Sequence, residues 1–169
     1  MALFKMISTK GKYQDDMAIP TLINYITRSD KTPSDIIAGS NIDIDNIAES
    51  MIQVSESFNK NSGNRAYHFI VSFMPHEIHM KGLLICMAND ICRYFEDEFQ
   101  IVYALHEDTY YPHLHFVFNA VSYVDGHKYR SSKNDFRRLY NYIKSVLKGY
   151  YIFNVRNVTH NPETDPPHE

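Results

Sequence analysis

Residues 106–119 read HEDTYYPHLHFVFN, and the second half of this stretch has the strongest strand pattern in the chain. Side chains two apart on a β-strand point to the same side, so His113 and His115 share one face, together with Asn119. The residues between them are apolar and form the face that we expect to pack against helices. They are Leu114, Phe116 and Phe118. The stretch therefore predicts a sheet strand that turns two histidines to one side.

A third histidine, His106, ends the preceding predicted strand, residues 99–106. If the two strands are neighbours, His106, His113 and His115 converge at one point on the sheet surface. Three neutral imidazoles make a good site for a divalent ion and leave positions open for substrate oxygens. Zinc binds three histidines well, whereas phosphoryl transfer more often recruits magnesium or manganese. We expect Mn²⁺ or Mg²⁺ first, with Zn²⁺ as the alternative.

Asp108 lies two residues after His106 and is expected to have a role in catalysis. We expect it to accept a hydrogen bond from a ligand imidazole or to act as a general base, with Glu107 as the weaker alternative. The other histidines show no comparable arrangement, and we interpret them as structural or exposed. They are His68, His76, His79, His127, His160 and His168.

Periodicity along the rest of the chain indicates an alternation of helices and strands. Strands are predicted at residues 3–9, 65–74, 99–106, 113–123 and 151–158, with a short hairpin partner at 127–130 after Asp125-Gly126. Helices are predicted at residues 19–26, around 47–58, 78–96 and 133–148. Hairpin-compatible strands joined through helices favour an α+β fold, an antiparallel sheet with helices mainly on one face.

Composition fits one ordinary globular domain of 169 residues, 44% hydrophobic and 22% charged. We find no apolar run of the ~20 residues that a membrane span needs, and no signal-peptide pattern. Cys86 and Cys92 lie on one predicted helix, which indicates reduced thiols in a cytoplasmic protein. Residues 161–169 contain three prolines and are expected to be a flexible tail, or the start of a linker to a missing C-terminal region.

The motifs resemble those of a known family. The string His113-Leu114-His115 resembles the histidine–hydrophobe–histidine (HUH) motif of relaxases and rolling-circle replication initiators. With His106, Asp108 and Asn119 added, it is similar to the third motif of MobP-type mobilisation relaxases, which are common on plasmids and conjugative transposons of Gram-positive bacteria. Three further segments resemble family motifs in the same order. They are residues 23–26 with 30–32, residues 65–73 with Glu77, and residues 125–129.

The resemblance implies a relaxase domain over residues 1–160, built on a five-stranded antiparallel sheet with an RRM-like core. It implies an enzyme that nicks single-stranded or hairpin DNA at an origin of transfer, forms a 5′-phosphotyrosine link, and later reseals the strand. It also implies an accessory DNA-binding protein and a coupling protein as partners. A sister family has a glutamate ligand where this chain has Thr109, so we expect three histidine ligands.

The resemblance to the N-terminal motif makes Tyr25 the expected nucleophile. Tyr110 and Tyr111 are alternatives, because they lie in the loop of residues 107–112 between the histidines, called the metal loop below. Tyr13 is a weaker alternative. A replication or transposition initiator would instead use a helix tyrosine after the histidines, either Tyr140 or Tyr142. A further alternative is a non-catalytic DNA-binding module in which the histidines hold a structural metal.

DNA binding has to come from local features, because the net charge of −3 argues against a generally basic surface. A basic cluster around the predicted hairpin and the last helix suits phosphate contacts beside the proposed site. It comprises Lys128, Arg130, Lys133, Arg137 and Arg138. Arg65 and Asn119, from the second and third motifs, are expected to bind DNA with them, and Lys5, Lys10 and Lys12 are further candidates.

Overall fold

A mixed six-stranded sheet organises the molecule. The computed structural model describes residues 1–7, 13–32, 36–75 and 80–158. The strands are β1 (Ala2–Met6), β2 (Ile37–Ser40), β3 (Ala66–Phe73), β4 (Ile101–His106), β5 (His113–Asn119) and β6 (Val155–Asn157). The helices are α1 (Ala18–Ile26), α2 (Ile47–Ser57), α3 (Lys81–Cys92) and α4 (Lys133–Gly149). The strand order across the sheet is β2-β4-β5-β3-β1-β6.

β4 and β5 form the antiparallel hairpin at the centre of the sheet, as the sequence predicts. His106 pairs with His113, and Ala104 pairs with His115. On its other side β5 pairs with β3, where Ile70 lies opposite His115. This register brings the three histidines of the hairpin to one end of one face.

The opposite face carries the larger hydrophobic core. Its centre is a set of aromatic side chains from β1, β3 and β5, over which α3 and α4 pack. They include Phe4, Phe69, Phe116 and Phe118. The helix α4 begins with a capping box, in which Ser132 and Asp135 satisfy each other's backbone N–H groups. The expectation of an apolar face covered by helices is confirmed.

Helices also cover part of the histidine face, so the expectation of helices mainly on one face is wrong. α1 and α2 pack there on small and β-branched residues of the sheet. The sheet residues are Ala66, Val102, Ala104 and Val117. These side chains are apolar, and leaving them in water would be unfavourable, so the two helices cover them. The histidines lie beyond this covered half.

The expectation of five antiparallel strands is also corrected. The sheet has six strands, and β6 runs parallel to β1, with Val155 opposite Ala2. β2 is an additional edge strand in which Gly39 lies so close to β4 that a Cβ would fall 2.1 Å from the carbonyl oxygen of Ile101. The predicted strand 127–130 is reduced to a single bridge between Val121 and Lys128. Gly126 provides the turn with a φ of 75°.

The proposed tail, residues 161–169, lies outside the described residues. Among the residues that are described, none of the helices has the length and apolar character that a membrane crossing requires.

Candidate active site

The three predicted ligands meet at the open end of the histidine face. His106, His113 and His115 each offer a nitrogen, and these nitrogens lie within 4.8 Å of one another. The rings of His106 and His115 are closest, with centroids 4.1 Å apart. Both are buried, while His113 is partly exposed. The predicted convergence is confirmed, and among the described residues these three histidines form a group that could hold a metal ion.

Backbone carbonyls fix the tautomers of two ligands. Nε2 of His106 lies 2.8 Å from the carbonyl oxygen of Ile26, and Nδ1 of His113 lies 2.9 Å from that of Tyr111. A carbonyl oxygen only accepts, so each of these ring nitrogens donates its N–H. The other nitrogens, Nδ1 of His106 and Nε2 of His113, therefore keep their lone pairs for a ligand.

A divalent ion fits the remaining polar atoms of the site. Nδ1 of His106 and Nε2 of His115 are buried and have no hydrogen-bond partner among the described residues. Unsatisfied buried polar atoms are costly, and an ion bound between the histidines would pair both of them. Three imidazole nitrogens suit Zn²⁺, Mn²⁺ and related divalent ions, so the donor set does not select one of them.

Burial also keeps two ligands neutral. The pKa of His115 is lowered well below its usual range, first by desolvation and then by the neighbouring histidines His68, His106 and His113. Desolvation likewise lowers the pKa of His106. Metal ligation requires a neutral imidazole, so near neutral pH these two side chains are already in the form that binds.

Tyr25 lies over the three-histidine cluster. It is on the last turn of α1, and its ring centroid is 5.6 Å from that of His115 and 6.1 Å from that of His106. The side chain is 43% exposed although Ile23 and Ile26 beside it are buried. Tyr25 is therefore placed between the histidines and solvent, rather than in the core.

The alternative tyrosines lie elsewhere or are engaged differently. The hydroxyl groups of Tyr140 and Tyr142 donate to the carbonyl oxygens of Val155 and Asp90, on the opposite side of the sheet from the histidines. Tyr110 is 77% exposed and its ring packs edge-on against Tyr111 in the loop between β4 and β5. Tyr13 is partly buried, and its hydroxyl is 3.4 Å from Nδ1 of His68.

Asp108 has a different partner from the one expected. Its carboxylate accepts a hydrogen bond from Nζ of Lys31 at 2.8 Å, and this bond, more than any other cause, holds the pKa of Asp108 below its usual range. The nitrogens of His106 and His113 that would have donated to it bond to backbone carbonyls instead. Asp108 thus joins the metal loop to the segment that follows α1.

Asn119 and Arg65 both make hydrogen bonds within the protein. The buried amide of Asn119 donates to the backbone of Met51 and to Gln100, and its oxygen accepts from the backbone of Val121. Its complete burial contradicts the expected contact with DNA. The Arg65 side chain is only 12% exposed, and its guanidinium bonds Asp16 and two further acceptors. These bonds leave further N–H groups on the guanidinium, so DNA binding by Arg65 stays a prediction.

Part of the basic cluster lies at the end of the sheet away from the histidines. Lys128 bridges Val121, beyond the end of β5. The strand from His113 to Asn119 alone spans about 20 Å at ~3.3 Å per residue. Lys133 and Arg137 are exposed on α4, which packs on the face opposite the histidines, and Arg130 is also exposed. Lys128 donates to the carbonyl of Ser62, and Arg138 pairs with Asp135.

Sequence reasoning missed His68. The ring is buried on β3, and its Nε2 is 2.8 Å from Nδ1 of His115. Side chains alternate along β3, so His68 points away from the core face that Tyr67 and Phe69 share. Once β3 is known to pair with β5, this alternation puts His68 on the histidine face. His127 is exposed and bonds Asp125, while His76, His79, His160 and His168 lie outside the described residues.

Comparison with known proteins agrees with this geometry. The family model "Relaxase: MobA/VirD2-like, nuclease domain" matches residues 25–152, about three quarters of the chain. The match begins at Tyr25 and includes all three clustered histidines. The corresponding searches of curated proteins and of solved structures return no match. The chain therefore belongs to the MobA/VirD2-like relaxase family, of which it carries the nuclease domain.

Proposed function

We propose that this protein is a site- and strand-specific DNA relaxase with Tyr25 as its nucleophile. It would nick single-stranded or hairpin DNA at an origin of transfer and remain attached through a 5′-phosphotyrosine link. The observation that supports the proposal most strongly is the position of Tyr25, which is exposed and lies over the three histidines.

The histidines provide the electrostatic part of the reaction. His106, His113 and His115 would hold one divalent ion through the three nitrogens whose lone pairs are free. When bound, such an ion supplies positive charge that polarises the scissile phosphate and stabilises the charge developing on its oxygens. The chain itself excludes water on the inner side of the site, because His106 and His115 are buried.

Tyr25 would perform the covalent step. Its hydroxyl loses a proton to solvent, the phenolic oxygen bonds to phosphorus, and the bond from phosphorus to the 3′ oxygen breaks. The leaving oxygen takes up a proton and becomes a 3′-OH. The reverse sequence reseals the strand, since a phenolate is a good enough leaving group to make the link reversible.

Lys31 places positive charge near Tyr25. The pKa of Lys31 is raised, mainly by its hydrogen bond with Asp108 and to a lesser extent by attraction to Tyr25. A cation near the reacting oxygen would stabilise the negative charge that develops during attack. Lys31 is therefore the candidate for assisting Tyr25, with Asp108 holding it in place.

The family and the motifs support a role in conjugative mobilisation of the MobP type. We propose that the protein acts in the bacterial cytoplasm on a plasmid or conjugative transposon of Gram-positive type. An accessory DNA-binding protein and a coupling protein would be its partners. Exposed Arg130, Lys133 and Arg137 would contact phosphates of the same strand, away from the nick.

A covalent-adduct assay tests the proposal. The protein is incubated with Mn²⁺ and single-stranded oligonucleotides that cover its origin of transfer, and adducts are analysed by mass spectrometry. We expect a peptide containing Tyr25 to carry the 5′ part of the cleaved strand. Tyr25→Phe should abolish the adduct, whereas the matched variants Tyr110→Phe and Tyr140→Phe should retain it. An adduct on another tyrosine would overturn the assignment, and no adduct with the cognate origin would overturn the relaxase proposal.

A further inference from the structure

We propose that His68 positions the metal ligand His115. In this arrangement Nε2 of His68 accepts a hydrogen bond from the Nδ1–H of His115, which leaves Nε2 of His115 facing the ion. The inference rests on the metal centre of the proposed function, but not on the nucleophile.

The contact between the two rings is close and protected from water. The two nitrogens are 2.8 Å apart, and the rings stack with centroids 5.0 Å apart. Both side chains are buried. They lie on adjacent strands in the middle of the sheet, His68 on β3 and His115 on β5, so neither ring moves without disturbing the core.

Only one of the two possible proton positions is compatible with metal binding. If His68 donated, Nδ1 of His115 would be the acceptor and its Nε2 would carry the proton. That N–H would be buried without a partner among the described residues, and it would point at the ion. If His115 donates instead, its Nε2 has a lone pair and joins those of His106 and His113.

Tyr13 is compatible with the same proton arrangement. When Nε2 of His68 accepts, its Nδ1 carries a proton, and the hydroxyl oxygen of Tyr13 lies 3.4 Å away to receive it. A phenol hydroxyl also donates, so this contact alone does not distinguish the two tautomers. Burial raises the pKa of Tyr13 to about 12, so the phenol stays neutral and adds no charge to the site.

His68 therefore accepts the second N–H of His115, as backbone carbonyls accept those of His106 and His113. His106 and His113 donate to the carbonyls of Ile26 and Tyr111. A ligand histidine usually donates its second N–H to such an acceptor, and loss of the acceptor typically lowers metal affinity about 10–100-fold. The centre of the sheet offers His115 no free carbonyl, because the strand carbonyls of β3 and β5 pair with each other.

Two substitutions at His68 separate positioning from packing. His68→Phe keeps a ring in the core but has no acceptor, whereas His68→Gln has an amide oxygen that reaches to about the place of Nε2. We expect calorimetric titration with Mn²⁺ to show an affinity about 10–100-fold weaker for His68→Phe. His68→Gln should recover most of this loss, although both variants fill the site less well than histidine does. Equal Mn²⁺ affinity in folded wild-type and His68→Phe protein would overturn the proposal.

A measurement on the unmodified protein covers the case in which the variants do not fold. Long-range ¹⁵N–¹H correlation spectra of the imidazoles report which nitrogen carries the proton. We expect His115 as the Nδ1–H tautomer before and after addition of Zn²⁺, and a proton on Nε2 of His115 would refute the proposal. If no tyrosine forms an adduct with the cognate origin while His68→Phe still weakens Mn²⁺ binding, the relaxase proposal fails and the role of His68 stands.

Discussion

The imidazole of His106 donates from Nε2 to the carbonyl oxygen of Ile26, the residue that follows Tyr25. The hydroxyl of Thr32 donates to the same oxygen at 3.1 Å. One hydrogen bond thus joins a proposed metal ligand to the end of the helix that bears the proposed nucleophile.

Metal binding should stabilise the fold. Mn²⁺ at 100 times its Kd should add about 2.7 kcal/mol to the free energy of unfolding, because the ion binds only the assembled site. Thermal unfolding with and without Mn²⁺ measures this gain. His113→Ala should remove it, and His127→Ala, at the other end of the sheet, should keep it. A full gain in the His113→Ala variant would place the ion elsewhere.

Asp108 should act through Lys31. Asp108→Asn and Lys31→Met should each slow nicking by about tenfold, equivalent to ~1.4 kcal/mol, because each breaks the same ion pair. The double variant should be no slower than either single one, as expected for two partners of one interaction. Single-turnover nicking rates test this.

A general base would behave differently. Asp108→Asn would then slow nicking by about 10²–10⁴-fold, and Lys31→Met would change the rate far less. That outcome would show that Asp108 acts as the general base, one of the two roles expected from its sequence position.

The metal-free protein should lose stability as the pH falls below neutrality. Burial lowers the pKa of His115 and His106 in the folded state, so between their folded and unfolded values only the unfolded chain takes up these protons. The stabilisation is complete above the unfolded pKa of about 6.5 and declines below it, by at most ~1.4 kcal/mol per pH unit for each histidine. The carboxylates with lowered pKa titrate below this window. Urea unfolding between pH 7.5 and 5.5 measures the effect, and flat stability would contradict it.

Asn119→Ala should destabilise the fold rather than weaken DNA binding. The substitution leaves the carbonyl of Met51 and the N–H of Val121 without their bonds to the side chain, at a cost of about 1–3 kcal/mol for each group that stays unsatisfied. Urea unfolding should show this loss, while folded protein should bind oligonucleotides with unchanged affinity. Weaker DNA binding at unchanged stability would instead make Asn119 a DNA-binding residue.

Lys133 and Arg137 should affect binding of long oligonucleotides only. Both are exposed on α4, which packs on the face of the sheet opposite the histidines. Replacing each by alanine should reduce the slope of log affinity against log salt by about 0.7 for each phosphate that the side chain neutralises in the wild type. An oligonucleotide trimmed close to the nick should bind the variants and the wild type equally. Equal reductions for long and short strands would place the cluster near the reaction after all.

The central hairpin and the convergence of its three histidines were predictable. The alternation of side chains along β4 and β5 determines which residues face the core and how the two strands pair. His106, His113 and His115 follow that rule without help from the rest of the chain. The core face of β5 was predictable for the same reason. Helix α1 was also well predicted, since Pro20 suits its first turn and its apolar residues repeat at helical spacing.

The features that depend on distant partners were not predictable. β2 is four residues long with a glycine, and only its pairing with β4 makes it a strand. The parallel pairing of β6 depends on where α4 returns the chain. His68 looked like a residue in an aromatic strand, and its role emerges only when β3 lies beside β5. The separation of Lys128 from the site likewise follows from the length of β5, which the sequence order does not show.

The three histidines are close together in the sequence, whereas Tyr25, the proposed nucleophile, is far from them. His106, His113 and His115 belong to one hairpin with a loop of six residues, a contact that closes early and at little entropic cost. Tyr25 reaches them across some eighty residues, a separation that makes its contact slower to form. We therefore expect the three histidines to come together before Tyr25 docks over them, so that the arrangement proposed to cut DNA is the last part of the site to assemble.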